Sequence, residues 1–277
     1  MFDQVGGVTY TIYGMKNRVL LIMLIVFIVL AGICITCGTI FVVRDVEVID
    51  GTVQTAEALT ETEKNEIITK CELRGKSILF NLHQDQVAQK VKSVNSMLKL
   101  QSVTAKFPNR VVLVVSRRVP IFCDSENNLW FDAEMCRVKE TAPDPVDITS
   151  AKLSLNDLEF GDLAVGKDQW TQYKIQQIKI IANYFKSLHG FVITYDDSTQ
   201  ATGNHQYLCL LLKIKSDVTY KIKIKPEDDF LHALEFTDQI YQEKNVAGVY
   251  ETMYRYQDNP QKVGTRIEQT GEMIYEK

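Results

Sequence analysis

The stretch with the most chemical potential in this sequence is GDLAVGKD, from Gly161 to Asp168. It fits the phosphate-binding loop pattern at every position but the last, where a Ser or Thr should reach a magnesium ion. Asp168 stands there instead and would direct a negative charge at the phosphates. No strong apolar strand precedes the loop. We therefore expect a turn into a helix that Asp168 caps, rather than a nucleotide site.

Histidines and carboxylates, the usual acids, bases and metal ligands, are dispersed along the chain. The four histidines are too far apart for a zinc site or a catalytic triad. Neither His-Glu-x-x-His nor Gly-x-Ser-x-Gly occurs, and the acidic pairs stand where turns or helix starts are expected. We predict neither an enzyme nor a metal or cofactor site, although carboxylates that only folding brings together are invisible to this search. The residues concerned are His83, His189, His205, His232, Asp196-Asp197 and Asp228-Asp229.

The six cysteines give no metal or disulfide pattern. Cys34 and Cys37 fall in an apolar N-terminal run, and outside that run no Cys-x-x-Cys pair occurs. Cys123 and Cys136 bracket a predicted hairpin, where either a disulfide or two buried free thiols would fit.

Composition predicts a globular protein. The chain has 277 residues, of which 45% are hydrophobic and 24% charged, with a formal net charge of −4. A nucleic-acid-binding protein needs a concentrated basic face, so this charge excludes that class.

The run from Val19 to Val43 contains no charged residue and predicts a membrane span. As a helix it would reach about 37 Å, enough to cross a bilayer core of about 30 Å. The apolar core of a cleaved signal peptide is shorter. Lys16 and Arg18 precede the run, whereas Arg44 follows it together with several acids, so the positive-inside rule places residues 1–18 in the cytoplasm and residues 44–277 outside.

The first part of the external chain alternates helical and strand patterns. The segment Val42–Ile49 has the period of two that is typical of a strand with one buried face. Thr60 and Glu63 form a capping box that begins a helix, and a second helical pattern begins near Gln84. Two strands follow, so the order is strand, helix, helix, strand, strand. These last strands are Leu98–Phe107 and Arg110–Ser116.

The remainder is rich in strands, with two helices near 169–188 and 227–243. In Val218–Lys225 three apolar residues alternate with Lys221, Lys223 and Lys225, so we expect one face to pack and the lysine face to stay in water. The predicted strands are Phe191–Tyr195, Leu208–Ile214, Val218–Lys225 and Val249–Tyr256.

Four stretches directly after the apolar run resemble the bacterial cell-division protein FtsQ, called DivIB in Gram-positive bacteria. They are VRDVEVIDG, ELRGKSILFNLHQDQVAQKV, SVTAKFPNRVVLVVSRRVP and NNLWFDAEMCRV. The resemblance covers the apolar run and residues 44–140, and the remainder only in outline. The positions that match are Gly51, Gly75-Lys76, Leu79-Phe80, Phe107-Pro108-Asn109, Arg118-Val119-Pro120 and Phe131-Asp132.

The resemblance implies an α+β protein anchored by an N-terminal transmembrane helix. It implies a cytoplasmic tail (1–18), a membrane helix (19–43), a POTRA domain of order β-α-α-β-β (44–117), a mixed β domain with flanking helices (118–257) and a C-terminal strand and tail (258–277). It also implies a scaffold at the division septum, in the cell membrane, that binds the membrane-anchored partners FtsB (DivIC) and FtsL and needs no cofactor.

The expected binding mode is addition of a partner strand to an exposed sheet edge. Tyr250, Thr252, Tyr254 and Tyr256 share one face of the last predicted strand, and aromatic residues are favoured interface anchors. The alternative is that these tyrosines pack against a neighbouring helix. By resemblance, the final strand pair comprises Arg255-Tyr256 and Gln261–Glu268, which places Val263 and Gly264 at the binding site as well.

The stretch Arg117, Arg118 and Pro120 is expected to form a hinge between the two external domains. Pro120 has no amide donor and suits a place where strand pairing changes. Arg117 departs from the Glu that the family carries there. A different interpretation of the whole chain is a sensor or transport-type membrane protein that holds a peptide at the second strand edge of its POTRA domain.

Overall fold

The computed structural model describes residues 21–33, 41–52, 57–77, 83–196, 208–254 and 262–276. This part of the chain is a mixed α+β structure with five helices and three sheets, which confirms the predicted class. The chain divides into two compact units. The first ends at Ser116 and the second begins at Arg117, except that Ser96–Leu98 group with the second.

Helix α1 covers residues 21–33 of the apolar run. The expected tail (1–18) and parts of the expected membrane helix, residues 19–20 and 34–40, lie outside the described residues. Among the helices that are described, none combines the length and the apolar character needed to cross a membrane.

The first unit is a three-stranded sheet with two helices, and its elements follow one another in the predicted order. Strand β3 lies in the middle of the sheet, in the order β1-β3-β2, and runs parallel to β1 with Val48 opposite Leu113. Because β3 is central, Val111, Val112, Leu113 and Val115 are all buried. The elements are β1 (Asp45–Asp50), α2 (Glu61–Cys71), α3 (Gln84–Val94), β2 (Leu98–Lys106) and β3 (Arg110–Arg117).

The capping box at the start of α2 forms as predicted. The Glu63 amide donates to the Thr60 hydroxyl at 3.2 Å, and the Thr60 amide donates to the Glu63 carboxylate at 3.0 Å. These two bonds satisfy amide groups that the helix itself cannot pair.

The second unit begins with a small sheet of order β6-β5-β4-β7. A 3₁₀ turn, Thr149–Ala151, follows it, and then helix α4 (Gln169–Tyr184). The Asp168 carboxylate accepts a hydrogen bond from the Thr171 amide at 2.9 Å, so Asp168 is the expected helix cap. The strands are β4 (Phe122–Asp124), β5 (Leu129–Phe131), β6 (Arg137–Val138) and β7 (Val146–Asp147).

A six-stranded sheet of order β13-β12-β11-β10-β9-β8 forms the larger part of the second unit. Helix α5 connects β10 to β11, which therefore run parallel, while the other neighbours are antiparallel. The elements are β8 (Val192–Asp196), β9 (Leu208–Lys215), β10 (Val218–Ile224), α5 (Phe230–Lys244), β11 (Gly248–Tyr254), β12 (Val263–Ile267) and β13 (Met273–Tyr275).

The prediction that the lysine face of β10 is exposed to water is only partly correct. Tyr220, Ile222 and Ile224 are fully buried, as expected, and Lys221 and Lys223 are half-buried beside Glu251, whose carboxylate lies 2.5 Å from the Lys223 ammonium. Lys225 is buried, with 3% of its surface exposed, because the chain leaves the strand at Ile224 and turns toward α5.

The four cysteines of the described residues are buried free thiols, including Cys123 and Cys136. Of the two possibilities for this pair, the structure therefore shows free thiols.

Candidate partner-binding site

Two of the three tyrosines of the predicted binding face, Tyr250 and Tyr254, lie in the core of the second unit. Tyr250 has no exposed surface and Tyr254 has 6%. The Tyr250 hydroxyl donates to the Val246 carbonyl at 2.7 Å, and burial raises the pKa of this phenol. The structure thus shows the packing alternative for these side chains, because β11 lies between β10 and β12 and turns this face toward α5.

The other predicted residues do not form an exposed edge either. Val263 and Gly264 are buried in β12, which pairs with β11 on one side and β13 on the other. Arg255 and Tyr256 lie outside the described residues. The structure therefore brings Tyr250, Tyr254, Val263 and Gly264 together as the inner part of one sheet.

The strand at this end of the sheet is β13, which sequence reasoning did not detect. In the described part of the chain β13 has β12 as its only strand neighbour, with Thr265 opposite Ile274. The bonds from the Glu276 amide to the Val263 carbonyl (3.1 Å) and from the Ile267 amide to the Glu272 carbonyl (2.9 Å) set the pairing. In an antiparallel pair, residues whose main-chain groups bond to the neighbouring strand alternate with residues whose main-chain groups point outward. Glu272 and Glu276 bond to β12, so the amide and carbonyl of Met273 point away from β12.

The opposite end of the sheet, at β8, is covered. The Ser150 hydroxyl of the 3₁₀ turn donates to the Ile193 carbonyl of β8 at 2.9 Å, and β7 also lies against this strand. An uncovered edge invites pairing with another chain, and proteins commonly block such edges. Among the described residues no further strand lies beside β13, so this end of the sheet is the candidate edge for strand addition.

A groove of about 420 Å³ runs between α5 and β13. Its apolar lining comes from Phe236 and Ile240 on α5 and from Ile274 on β13, and three carboxylates line it as well. A strand added to β13 would lie beside this groove and could place alternate side chains in it. The carboxylates are Glu235, Glu243 and Glu276.

The buried Tyr254 contacts His232, one of the side chains that line this groove. Its hydroxyl donates to the Asp229 carbonyl at 2.8 Å and lies 3.3 Å from Nδ1 of His232, whose Nε2 lies 3.0 Å from the Glu276 carboxylate. Burial, together with the nearby Asp229 and Asp228, raises the pKa of Tyr254, so this hydroxyl stays protonated. Tyr254 is thus a positioning residue for His232 and Glu276.

A ladder of buried threonines fixes α5 to the sheet behind the groove. The Thr237 hydroxyl donates to the Ala233 carbonyl at 2.6 Å and lies 2.8 Å from the Thr252 hydroxyl. The Thr252 hydroxyl in turn lies 2.8 Å from the Thr265 hydroxyl. All three side chains are fully buried. This ladder holds the α5 wall of the groove in register with β11 and β12.

The expected hinge residues lie at the start of the second unit. Arg117 ends β3, and Pro120 stands shortly before β4. Arg118 forms an ion pair with Asp132. Although burial disfavours its charge, the Asp132 carboxylate raises the pKa of Arg118 above its ordinary value. Arg118 is therefore fixed within the second unit, and a hinge motion at this stretch stays a prediction.

Among the described residues, no group of three or more His, Cys, Asp or Glu side chains is placed to hold a metal ion. Comparison with known proteins gives no family for this chain. The chain matches no family model, and it matches no curated protein.

Proposed function

We propose that this chain is a bacterial division protein of the FtsQ/DivIB type, anchored in the cell membrane by the apolar run Val19–Val43. In this proposal the first unit is a POTRA domain, the second is the β domain, and both lie outside the cytoplasm. The protein scaffolds the septum by binding FtsB/DivIC-type and FtsL-type partners. It performs no catalysis and needs no cofactor.

Two features support the family assignment. The first is the set of matching stretches and their order after the apolar run. The second is the order of the elements in the first unit, since β-α-α-β-β is the order that the resemblance implies for a POTRA domain.

The observation that carries the binding proposal is the β13 edge beside the groove between α5 and β13. A partner segment would pair with the outward main-chain groups of Met273 and extend the six-stranded sheet. Its alternate side chains would enter the groove, where Glu235, Glu243 and Glu276 favour lysine or arginine. The proposed binding strand is therefore β13, which follows the two strands that the sequence predicts for partner binding.

Anchoring in one membrane would assist this binding. When both proteins are anchored in the same membrane, each is held near the other. The effective concentration of the partner at β13 therefore rises without any additional contact. Modest strand pairing at β13 is then sufficient for a stable complex.

The groove can be tested by reversing its charge. The full chain carrying Glu235→Lys and Glu243→Lys is co-expressed with the FtsB/DivIC-type protein of the source organism, and the partner recovered on purification is measured. Both side chains are exposed, so the fold should persist. The matched control is Glu126→Lys, in the exposed turn between β4 and β5.

We expect the double variant to lose the partner and the control to retain it. Equal recovery from both proteins would remove the groove from the binding site. Removal of residues 249–277 is less informative, because it also deletes the buried Tyr250, Val263 and Ile267 and would unfold the second unit.

The division role itself is tested by where the protein accumulates in the cell. A fluorescent fusion of the full chain should concentrate at the septum during division. A uniform membrane distribution throughout the cell cycle would refute the division role, and it would leave the peptide-binding interpretation of the first unit.

A further inference from the structure

The most exposed large hydrophobic side chain of the described residues outside α1 is Phe107, with 62% of its surface in solvent. It lies in the turn between β2 and β3. A single exposed hydrophobic residue needs no explanation. Phe107 is not isolated, however, because its ring packs edge to face against Phe41, with the centroids 5.6 Å apart and the planes at 89°.

The turn that carries Phe107 is fixed to the segment where the apolar run ends. The Arg44 amide donates to the Asn109 carbonyl at 2.8 Å, and the Asp45 amide lies 3.3 Å from the same oxygen. Val43 is held by a bond from its amide to the Lys76 carbonyl at 2.9 Å. The position of the turn is therefore tied to the position of residues 41–45.

We propose that the Phe41 and Phe107 pair rests in the outer headgroup region of the bilayer, where it docks the first unit on the lipid surface. This inference rests on the proposed membrane anchor. A bilayer core takes about 20 helical residues. Counted from Val19, these end near Gly38, shortly before Phe41. Phe107 must then lie at nearly the same depth as Phe41.

The chemistry of the turn suits a lipid surface. Aromatic side chains are favoured at membrane interfaces, where a ring can lie among headgroups and upper acyl chains. Lys106 and Arg44 are both exposed beside the aromatic pair and can reach lipid phosphates. The pair and its two cations would hold the turn end of the sheet against the membrane.

The proposal predicts a defined orientation of the first unit. The far end of β1 is Asp50, whose carboxylate accepts a bond from the Leu59 amide at 2.7 Å just before α2 begins. At a rise of about 3.3 Å per residue, this end lies roughly 17 Å further from the membrane than Asp45. Thr62, exposed in the first turn of α2, therefore gives a control position within the same unit.

The test places a photo-crosslinking residue, p-benzoylphenylalanine, at position 107 or at position 62 of the full chain. Each protein is reconstituted in vesicles of phosphatidylglycerol and phosphatidylethanolamine carrying radiolabelled lipid. After illumination, covalent attachment of lipid to the external part of the chain is measured. Both positions are exposed, so neither substitution should disturb folding.

We expect lipid to become attached at position 107 and not at position 62. Absence of attachment at 107, or equal attachment at both positions, would overturn the proposal. Extraction of the same vesicles with alkaline carbonate distinguishes a failure of the lipid contact from a failure of the membrane anchor. A chain that resists extraction but shows no attachment at 107 refutes only the lipid contact, whereas a chain that is extracted refutes the membrane anchor.

Discussion

Replacing Arg118 with methionine should destabilise the second unit strongly. Arg118 and Asp132 form the least exposed ion pair among the described residues, with 13% and 8% of their side chains in solvent. Methionine keeps the length of the aliphatic chain but removes the charge. Within the described part of the chain, the Asp132 carboxylate would then keep its bonds from the Glu134 and Cys136 amides, each 2.9 Å long.

The expected loss follows from this burial. Removing one partner of a buried ion pair costs about 3–5 kcal/mol, because the other charge stays buried without compensation. The two remaining amide bonds to Asp132 favour the lower end of this range, so we expect the free energy of unfolding to fall by about 3 kcal/mol. For a unit of this size that corresponds to a fall in Tm of about 6–12 °C.

The measurement is thermal unfolding of the full chain, followed by tryptophan fluorescence. Both tryptophans, Trp130 and Trp170, belong to the second unit, so the signal reports that unit. Lys244→Met is the matched control, since its ion pair with Glu272 is exposed and should contribute less than about 1 kcal/mol. A loss for the Arg118 variant no larger than that of the control would refute the reasoning.

Three further predictions use the same unfolding measurement. Thr237→Val removes the hydroxyl that joins α5 to β11 and should cost about 1–2 kcal/mol. Gly248→Ala should cost about 2 kcal/mol, because Gly248 has φ +136° and a Cβ there would lie 1.8 Å from the Gln269 side chain. Although burial opposes ionisation of Glu251, Lys223 lowers its pKa from the ordinary 4.5. That stabilisation is present above pH 4.5 and is lost as the pH falls through the lowered pKa, so Glu251→Gln should reduce the acid sensitivity of unfolding.

Features that depend on a few neighbouring residues could be predicted from the sequence. The capping box of Thr60 and Glu63 and the cap at Asp168 involve partners three residues apart, so spacing alone specifies them. The same holds for the alternation in β10, where Tyr220 and Ile222 face the core. Lys225 departs from this alternation and is buried, because periodicity does not show where a strand ends.

The position of the candidate site depended on pairings that periodicity does not encode. A period of two predicts that Tyr250 and Tyr254 share one face, but it does not say what covers that face. The crossover through α5 makes β11 an interior strand and turns its tyrosines into the core. The strand at this end of the sheet is instead β13, whose three residues are too few to show a periodic pattern.

Strand addition at β13 is tested most directly by removing one outward main-chain amide. Met273→Pro deletes an amide that points away from β12, whereas Met273→Leu keeps it with a side chain of similar size. Binding of each full chain to the external segment of the FtsB/DivIC-type partner is measured by calorimetry. We expect Met273→Pro to weaken binding about two- to tenfold at unchanged Tm and Met273→Leu to bind as the parent does. Equal affinity of the two variants would contradict strand addition at this edge.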